Sequence, residues 1–329
     1  KATRQLRRLA LLSVYGVLGA LLTSVPLFYI WRQAAIVPAI VIAAVIQLLL
    51  VITFSLRLYP LDIRFNRRTL REGYGMVSLG VAFVMAGILG SAADFIIRSY
   101  LSHAGELHTV GLYNAGFMVT MTYAGMVFHG METDYFPRLS GVKHTGTTLN
   151  ILVNRQIEVS ILLISPLLVA MTVALPLLIP LLFSQEFGPV IGMMRGSILA
   201  MYLRALSLPI EYIALSRGNS RAYLVQEGFA AVLLVVSVVT GFHFGGLTAT
   251  GYSITIATLL ELVFVLFLTY YKYGYRLSRR AFRLTLLQTG LGLATLLAVL
   301  NLDGLAYWLV GAALVGVSGT LSWRLCRPT

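Results

Sequence analysis

Long apolar runs dominate the sequence, and each is about as long as the 20 residues that cross a bilayer as an α-helix. We identify ten such runs, separated by short polar connections. They lie near residues 9–31, 34–56, 74–97, 110–135, 156–182, 195–216, 222–241, 247–271, 284–300 and 305–323. Lipid offers no partner to backbone polar groups, and the runs lack the strict alternation of membrane β-strands. The sequence therefore predicts an all-α, polytopic transmembrane bundle of about ten helices.

Composition excludes a water-soluble fold. Hydrophobic residues make up 58% of the chain and charged residues only 11%, whereas soluble domains carry about 25% charged residues. A net charge of +13 would suggest nucleic acid in a soluble protein, but here the placement of the charges matters more, and we expect no nucleic-acid partner. Cys326 is the one cysteine, so an internal disulfide is excluded and no metal cluster is expected.

Basic residues gather in every second connection between the apolar runs. The clusters occupy residues 1–8, 57–71, 138–155, 217–221, 272–283 and 324–327. Only four of the 25 lysines and arginines lie elsewhere: Arg32, Arg98, Arg195 and Arg204. Because positive residues are retained on the cytoplasmic side during insertion, this alternation predicts that both ends of the chain face the cytoplasm.

Charged residues inside the runs are the candidate functional residues, since a charge at membrane depth is costly. Asp94 and Arg98 lie one turn apart near the outer end of the third run, close enough to pair. Their spacing predicts an interfacial ion pair. Glu261 lies near the middle of the eighth run.

Arg204 is the intramembrane charge that is hardest to explain by solvation at the surface. It follows Arg195 by nine residues, which places it about 13 Å deeper, near the bilayer midplane. Glu211 follows seven residues later on the same helical face. Arg204 is expected either to pair with Glu211 or Glu261, or to line an aqueous cavity. A cationic cavity would suit an anionic ligand, because guanidinium matches phosphate with paired hydrogen bonds.

Motifs of catalysis are missing from the sequence. It has no phosphate-binding Walker loop, no HExxH, no GxSxG and no clustered histidines. We therefore expect a protein that is not an enzyme, with no catalytic residues, no cofactor and no metal.

Several local patterns resemble those of a known transporter family. Residues 93–119, "ADFIIRSYL…VGLYNAGFMV", and residues 136–140, "FPRLS", resemble a signature region of polysaccharide flippases. Residues 181–190, 214–229 and 241–258 resemble the outer loop, inner hairpin and Gly-rich turn of the same proteins. In this order and spacing, the patterns resemble the multidrug/oligosaccharidyl-lipid/polysaccharide superfamily, and within it the O-antigen (Wzx-like) flippases.

The resemblance implies a division of the chain into three parts. The family has two six-helix lobes related by a pseudo-two-fold axis, often followed by two extra helices. On that plan residues 1–72 hold the last two helices of an incomplete first lobe and a basic linker. Residues 73–283 form the second lobe and residues 284–329 the additional pair. The first four helices of the plan are missing, so the chain is expected to be an N-terminally truncated piece.

The resemblance also implies a function and a location. The family flips polyprenyl-diphosphate-linked oligosaccharide from the cytoplasmic to the outer leaflet of the bacterial inner membrane by alternating access. Membrane lipid and other polysaccharide-assembly proteins are the further partners implied. Arg204 and Arg98 are then candidates for binding the anionic headgroup. Asp94, Glu211 and Glu261 are candidates for gating or ion coupling.

Three other functions remain open from the sequence, one of them a non-catalytic membrane scaffold, which the midplane charges disfavour. A drug or cation exporter of the same superfamily shares the architecture. A membrane-embedded glycan polymerase needs catalytic groups on sizeable loops, whereas the outer connections here are short, the longest being about ten residues near residues 100–109.

Overall fold

A computed structural model describes residues 2–58, 67–142 and 146–326. Within those ranges the chain is helical, without strands, and nine α-helices follow one another. They are α1 (Ala2–Trp31), α2 (Ile36–Leu58), α3 (Arg67–Phe117), α4 (Ala124–Gly141), α5 (Thr147–Leu182), α6 (Val190–Ser216), α7 (Ser220–Tyr273), α8 (Arg279–Asn301) and α9 (Gly304–Cys326). The chain divides into two compact units, Lys1–Arg71 and Glu72–Thr329. The all-α polytopic bundle predicted from the apolar runs is confirmed.

The first unit is a helical hairpin. A single 3₁₀ turn, Arg32–Ala35, joins α1 to α2, and Arg32 adopts a positive φ of 46° there. The helices approach closely where Gly16 faces Gln47, because the glycine has no side chain to hold them apart. Apolar side chains such as Leu22 project outward from the hairpin, as expected for helices that face lipid.

The third helix reverses direction although its helical hydrogen bonding is continuous. Its 51 residues would span about 77 Å if straight, more than twice a bilayer's hydrocarbon core. The Arg98 Nε donates to Asn114 Oδ1 at 2.9 Å, yet residues 16 apart in a straight helix are separated by about 24 Å. The chain therefore turns back between Arg98 and Asn114. The sequence predicted a loop over residues 100–109, and that prediction is wrong in detail because those residues are helical.

The seventh helix also contains a reversal, at Gly245 and Gly246. Both glycines have non-helical backbone angles, and Gly246 adopts φ 62°, a conformation that favours glycine. The rings of Phe229 and Phe264 stack at 4.1 Å across the resulting hairpin. The two halves of α7 thus correspond to the separately predicted runs 222–241 and 247–271.

The number of membrane-crossing helices differs from the predicted ten for this same reason. By length and composition, eight helices in the described part of the chain can cross a membrane, with α7 counted once. The predicted run 110–135 is divided among the end of α3, a π-helical turn at Met118–Tyr123 and α4. None of these pieces alone is long and apolar enough to be counted.

Basic residues of the second unit gather at one end, here called the basic end. It comprises Arg138, Arg155, Arg217, Arg221, Lys272, Arg276, Arg279, Arg280, Arg283 and Arg324. Contacts join the segments that meet there: Arg217 with the Val142 carbonyl, and Arg280 with Glu158 at 3.4 Å. Helix directions therefore alternate as the charge pattern predicted. Lys143 and His144, from the same predicted connection, lie outside the described residues.

Helix α5 anchors the last two helices. The Ser165 hydroxyl donates to Gln288 Oε1 at 2.6 Å, and Gln288 Nε2 donates to Ser322 at 3.1 Å. These side chains are buried, and their hydrogen bonds join α5, α8 and α9. Residues 284–326 therefore pack within the second unit, and the assignment of 284–329 as an added helix pair stays a prediction.

Candidate functional site

An ion pair lies at mid-depth in the second unit. Arg204 is one residue from the centre of α6, and Glu261 is one residue from the centre of the second half of α7. The Arg204 Nη1 donates to Glu261 Oε1 at 3.2 Å. Gly196 of α6 also contacts Gly251 of α7, and these glycines precede Arg204 and Glu261 in the sequence by similar distances. The two helices therefore run in the same direction here. Of the partners expected for Arg204, the structure selects Glu261.

Glycine and threonine contacts hold the two helices that carry this pair. A side chain at Gly251 would collide with the Met193 backbone. The Thr255 hydroxyl donates to the Gly196 carbonyl at 2.8 Å. Such close backbone approach is typical of membrane helices joined through small residues. It fixes the register of α6 against α7 and so brings Arg204 level with Glu261.

A cavity of about 400 Å³ opens beside the ion pair. Helices α3, α4, α6 and both halves of α7 supply its walls, and the π-helical turn adds Met121. Its ionisable lining residues are Asp94, His129, Glu132, Arg204, Glu227 and Glu261. Arg204 keeps 35% of its side-chain surface accessible, whereas Glu261 keeps 10%. The Arg204 guanidinium is therefore the more accessible partner from the cavity, and the Glu261 carboxylate is more deeply buried. We call this space the central cavity.

The charge of the central cavity differs from the cationic cavity predicted from Arg204 alone. Four carboxyl groups and one guanidinium line it in the described part of the second unit. Arg204 is in addition engaged by Glu261. The difference arises because Glu132 and Glu227, which are distant in sequence, converge on the same space.

Glu211 lies beside the ion pair and outside the cavity lining. Its carboxyl group is within hydrogen-bonding reach of Glu261, and its charge acts on Arg204. The residue is only 8% exposed, and its Oε1 has no hydrogen-bond partner among the residues that the structure describes. Glu211 and Glu261 thus place two carboxyl groups beside the guanidinium of Arg204.

Asp94 and Arg98 form the ion pair that their spacing predicted. The Arg98 Nη2 lies 3.3 Å from Asp94 Oδ2. The same guanidinium holds Asn114 across the reversal of α3, and the buried Tyr113 lies close by. Asp94 lines the central cavity, but Arg98 does not. Arg98 therefore joins the cavity wall to the returning segment of α3.

Two cavity residues gave little signal in the sequence. The sequence pattern alone favours neither Glu132 nor His129 as a site residue. The His129 Nδ1 lies 3.1 Å from Glu132 Oε2, one turn along α4. Their spacing of three residues places both on one face, which is the signal that could have identified them. Within the described ranges, no group of three or more His, Cys, Asp or Glu side chains is arranged to hold a metal ion.

A comparison with protein-family models shows which family the chain belongs to. A family model described as "Polysaccharide biosynthesis protein" matches residues 3–192, more than half of the chain. The chain belongs to this family. Among curated proteins, none matches it in sequence.

Comparison with solved structures gives the fold. The structure of "Lipid II flippase MurJ, inward closed conformation" resembles this chain with a TM-score of 0.61 over 93% of its length, at 10% sequence identity. The chain covers 65% of that structure, less than two thirds of its length. At this identity the likeness is one of fold. This member of the polysaccharide biosynthesis family is thus a multi-pass membrane protein with a flippase-like helical architecture.

Proposed function

We propose that the chain acts in a carrier that flips polyprenyl-diphosphate-linked oligosaccharide from the cytoplasmic to the outer leaflet by alternating access. The observation that carries this proposal is Arg204, a guanidinium at mid-depth that opens into a cavity. A charge at this depth is costly, and in membrane proteins it usually marks a ligand site or an ion pathway. The family membership and the MurJ-like fold support a lipid-linked glycan as the cargo.

Arg204 would bind the diphosphate of the lipid carrier. A guanidinium donates two parallel hydrogen bonds to a phosphate group, which gives both attraction and orientation. Glu261 occupies the same guanidinium at 3.2 Å. The diphosphate must therefore compete with Glu261, and binding is strongest when Glu261 is neutral.

Glu211 would make that competition depend on a proton. Because Glu211 and Glu261 are within hydrogen-bonding reach, a proton taken up by this pair weakens the hold of Glu261 on Arg204. Proton release after unloading would restore the ion pair. The acid pair would thus couple headgroup binding to a proton gradient.

Asp94 and Arg98 would act at the opposite end of the cavity as a latch. Their contacts with each other and with Asn114 fasten the reversal of α3. Outward opening requires this reversal to move relative to α7, where Tyr100 packs edge-on against Phe242.

Location and orientation form part of the same proposal. The basic end would face the cytoplasm of a bacterial inner membrane, because basic residues are retained there. The headgroup would then enter near the basic end and leave near the reversal of α3. Other polysaccharide-assembly proteins would act as partners, and the chain itself would carry no catalytic group.

Complementation of a flippase-deficient cell tests the proposal. Arg204→Ala in the protein should abolish surface glycan, and Arg204→Lys should restore part of it, since charge remains without the planar fork. Arg195→Ala is the matched control, because Arg195 lies on the same helix but does not line the central cavity. Normal glycan output from a correctly inserted Arg204→Ala protein would refute the role of Arg204.

The acidic lining favours export of organic cations as a second candidate function. Glu132 and Glu227 add negative charge that a diphosphate does not need. Under this alternative, Glu227→Gln would sensitise cells to cationic drugs and leave surface glycan unchanged. Loss of glycan without any change in drug sensitivity would favour the flippase.

A further inference from the structure

A second cavity, at the basic end, differs from the central cavity in both place and chemistry. It measures about 700 Å³ and lies among the start of α5, the connection between α7 and α8, and the end of α9. Its lining along α5 extends from Thr147 to Leu162, about 22 Å along the helix axis. No residue of this lining belongs to the central cavity. We call it the basic-end cavity.

The polar part of the basic-end cavity carries an excess of positive charge. Arg155, Arg276 and Arg280 line it, together with the single carboxylate of Glu158. Glu158 pairs with Arg280 at 3.4 Å. Arg155 has no ion-pair or hydrogen-bond partner among the described side chains. Two guanidiniums therefore remain without a carboxylate from the lining, and like charges at one site favour an anion between them.

A buried side chain holds this arrangement in place. The Asn154 Nδ2 donates to the Arg276 carbonyl at 3.0 Å, and its Oδ1 accepts from the Ser278 backbone at 2.8 Å. The Tyr275 hydroxyl also donates to Asn154 Oδ1, at 3.1 Å. A tyrosine hydroxyl is protonated at neutral pH, and burial raises the pKa of the Tyr275 hydroxyl further. The connection that presents Arg276 is thus fastened to α5.

The uncharged lining of the cavity includes neutral polar side chains, such as that of Asn150, and an apolar part. Leu162, Leu277 and Leu325 belong to the apolar part, and Leu162 lies furthest from the helix start along α5. The exposed Trp323 lies two residues before Leu325 on α9, a position typical of the membrane interface. A cationic mouth above an apolar groove at a helix bundle's edge matches a phospholipid, with its phosphate above and an acyl chain below.

We propose that the basic-end cavity is a binding site for an anionic phospholipid such as phosphatidylglycerol. Arg155 and Arg276 hold the headgroup phosphate, and the leucines contact an acyl chain. The site serves the resident bilayer and is separate from cargo binding at Arg204, so it does not depend on the proposed function. A free phosphate ion would leave the apolar groove unused, which is why the lipid is the chosen ligand.

Native mass spectrometry of the purified protein with phosphatidylglycerol or phosphatidylcholine tests this site. Each arginine near an acidic lipid surface contributes about 1 kcal/mol, so Arg155→Gln/Arg276→Gln should weaken phosphatidylglycerol binding roughly 10- to 30-fold. Phosphatidylcholine binding should not change. Arg279→Gln/Arg283→Gln removes the same charge from exposed arginines outside the lining, and it should retain tight phosphatidylglycerol binding.

Three results would overturn the proposal. Equal losses in the two double variants would mean general attraction to the basic end. Unchanged binding in Arg155→Gln/Arg276→Gln would remove these arginines from the site. Displacement of phosphatidylglycerol by inorganic phosphate at equal concentration would mean that the groove contributes nothing. Arg155→Lys/Arg276→Lys keeps the charge and should keep most of the binding, which separates loss of the site from loss of the fold.

Discussion

At the residue scale, the structure shows that Arg204 forms an ion pair with Glu261, and that the two side chains are buried to different extents. Arg204 reaches the central cavity, whereas Glu261 is almost enclosed. Removing one partner of an enclosed pair leaves an uncompensated charge, and removing both does not. The energetic consequence therefore depends on which partner is lost.

A double-mutant cycle measures this asymmetry. Arg204→Ala should lower the free energy of unfolding by on the order of 3 kcal/mol, because it strands Glu261. Glu261→Ala should have a smaller effect, since Arg204 still reaches the cavity. The double variant should be more stable than Arg204→Ala alone, as measured by thermal unfolding in detergent. Strictly additive effects would show that the pair does not interact.

At the residue scale, the sequence does not show which side chains tertiary packing brings together. The sequence identified Arg204, Glu261 and the Asp94–Arg98 pair because a charge within an apolar run is visible locally. It did not identify the acidic lining. Glu132 and Glu227 lie on different helices, toward the ends of their runs, and only tertiary packing brings them to the central cavity.

At the element scale, close contacts between helix backbones set the register of the site. Gly251 lies against the Met193 backbone, so the α6–α7 contact depends on the absence of a side chain. Gly251→Ala should destabilise the protein by about 1–3 kcal/mol through overpacking. Gly290→Ala is the matched control, because nothing lies within 4 Å of its added methyl group. Equal unfolding temperatures for the two variants would contradict this packing.

The pairing of the first half of α3 with α7 makes a second prediction at this scale. Ser78 and Ser220 lie with their hydroxyl oxygens 3.3 Å apart, so Ser78→Cys/Ser220→Cys should form a disulfide under mild oxidation. The experiment requires Cys326→Ser, which removes the native thiol. Ser237→Cys in place of Ser220→Cys moves the partner about 25 Å along α7 and should give no bond. A bond in the control alone would refute the paired directions of α3 and α7.

The helices themselves were largely predictable because apolar length is a local property of the sequence. The connection near residues 100–109 was predicted in position, but its helical conformation was not. Its residues keep helical hydrogen bonds while the direction changes, and the Arg98–Asn114 contact that marks the reversal joins residues 16 apart. The glycine pair at Gly245–Gly246 was more visible, because glycine tolerates the positive φ found there.

At the scale of the whole molecule, alternating helix directions gather most of the described arginines of the second unit at the basic end. If the basic end faces the cytoplasm, His103→Cys should react with an impermeant maleimide added outside intact cells. Arg221→Cys should react only after permeabilisation. Both positions are exposed, so accessibility within the fold is matched. Reaction of Arg221→Cys alone from outside would invert the proposed orientation.

Direct binding of a polyprenyl diphosphate to the purified protein tests the central claim, that the cargo diphosphate competes with Glu261 for Arg204. Glu261→Gln removes the competing charge and should bind the ligand more tightly than the unmodified protein, by about tenfold for a change near 1.4 kcal/mol. Arg204→Gln should lose most of the binding. Equal affinities for the unmodified protein and both variants would contradict the account.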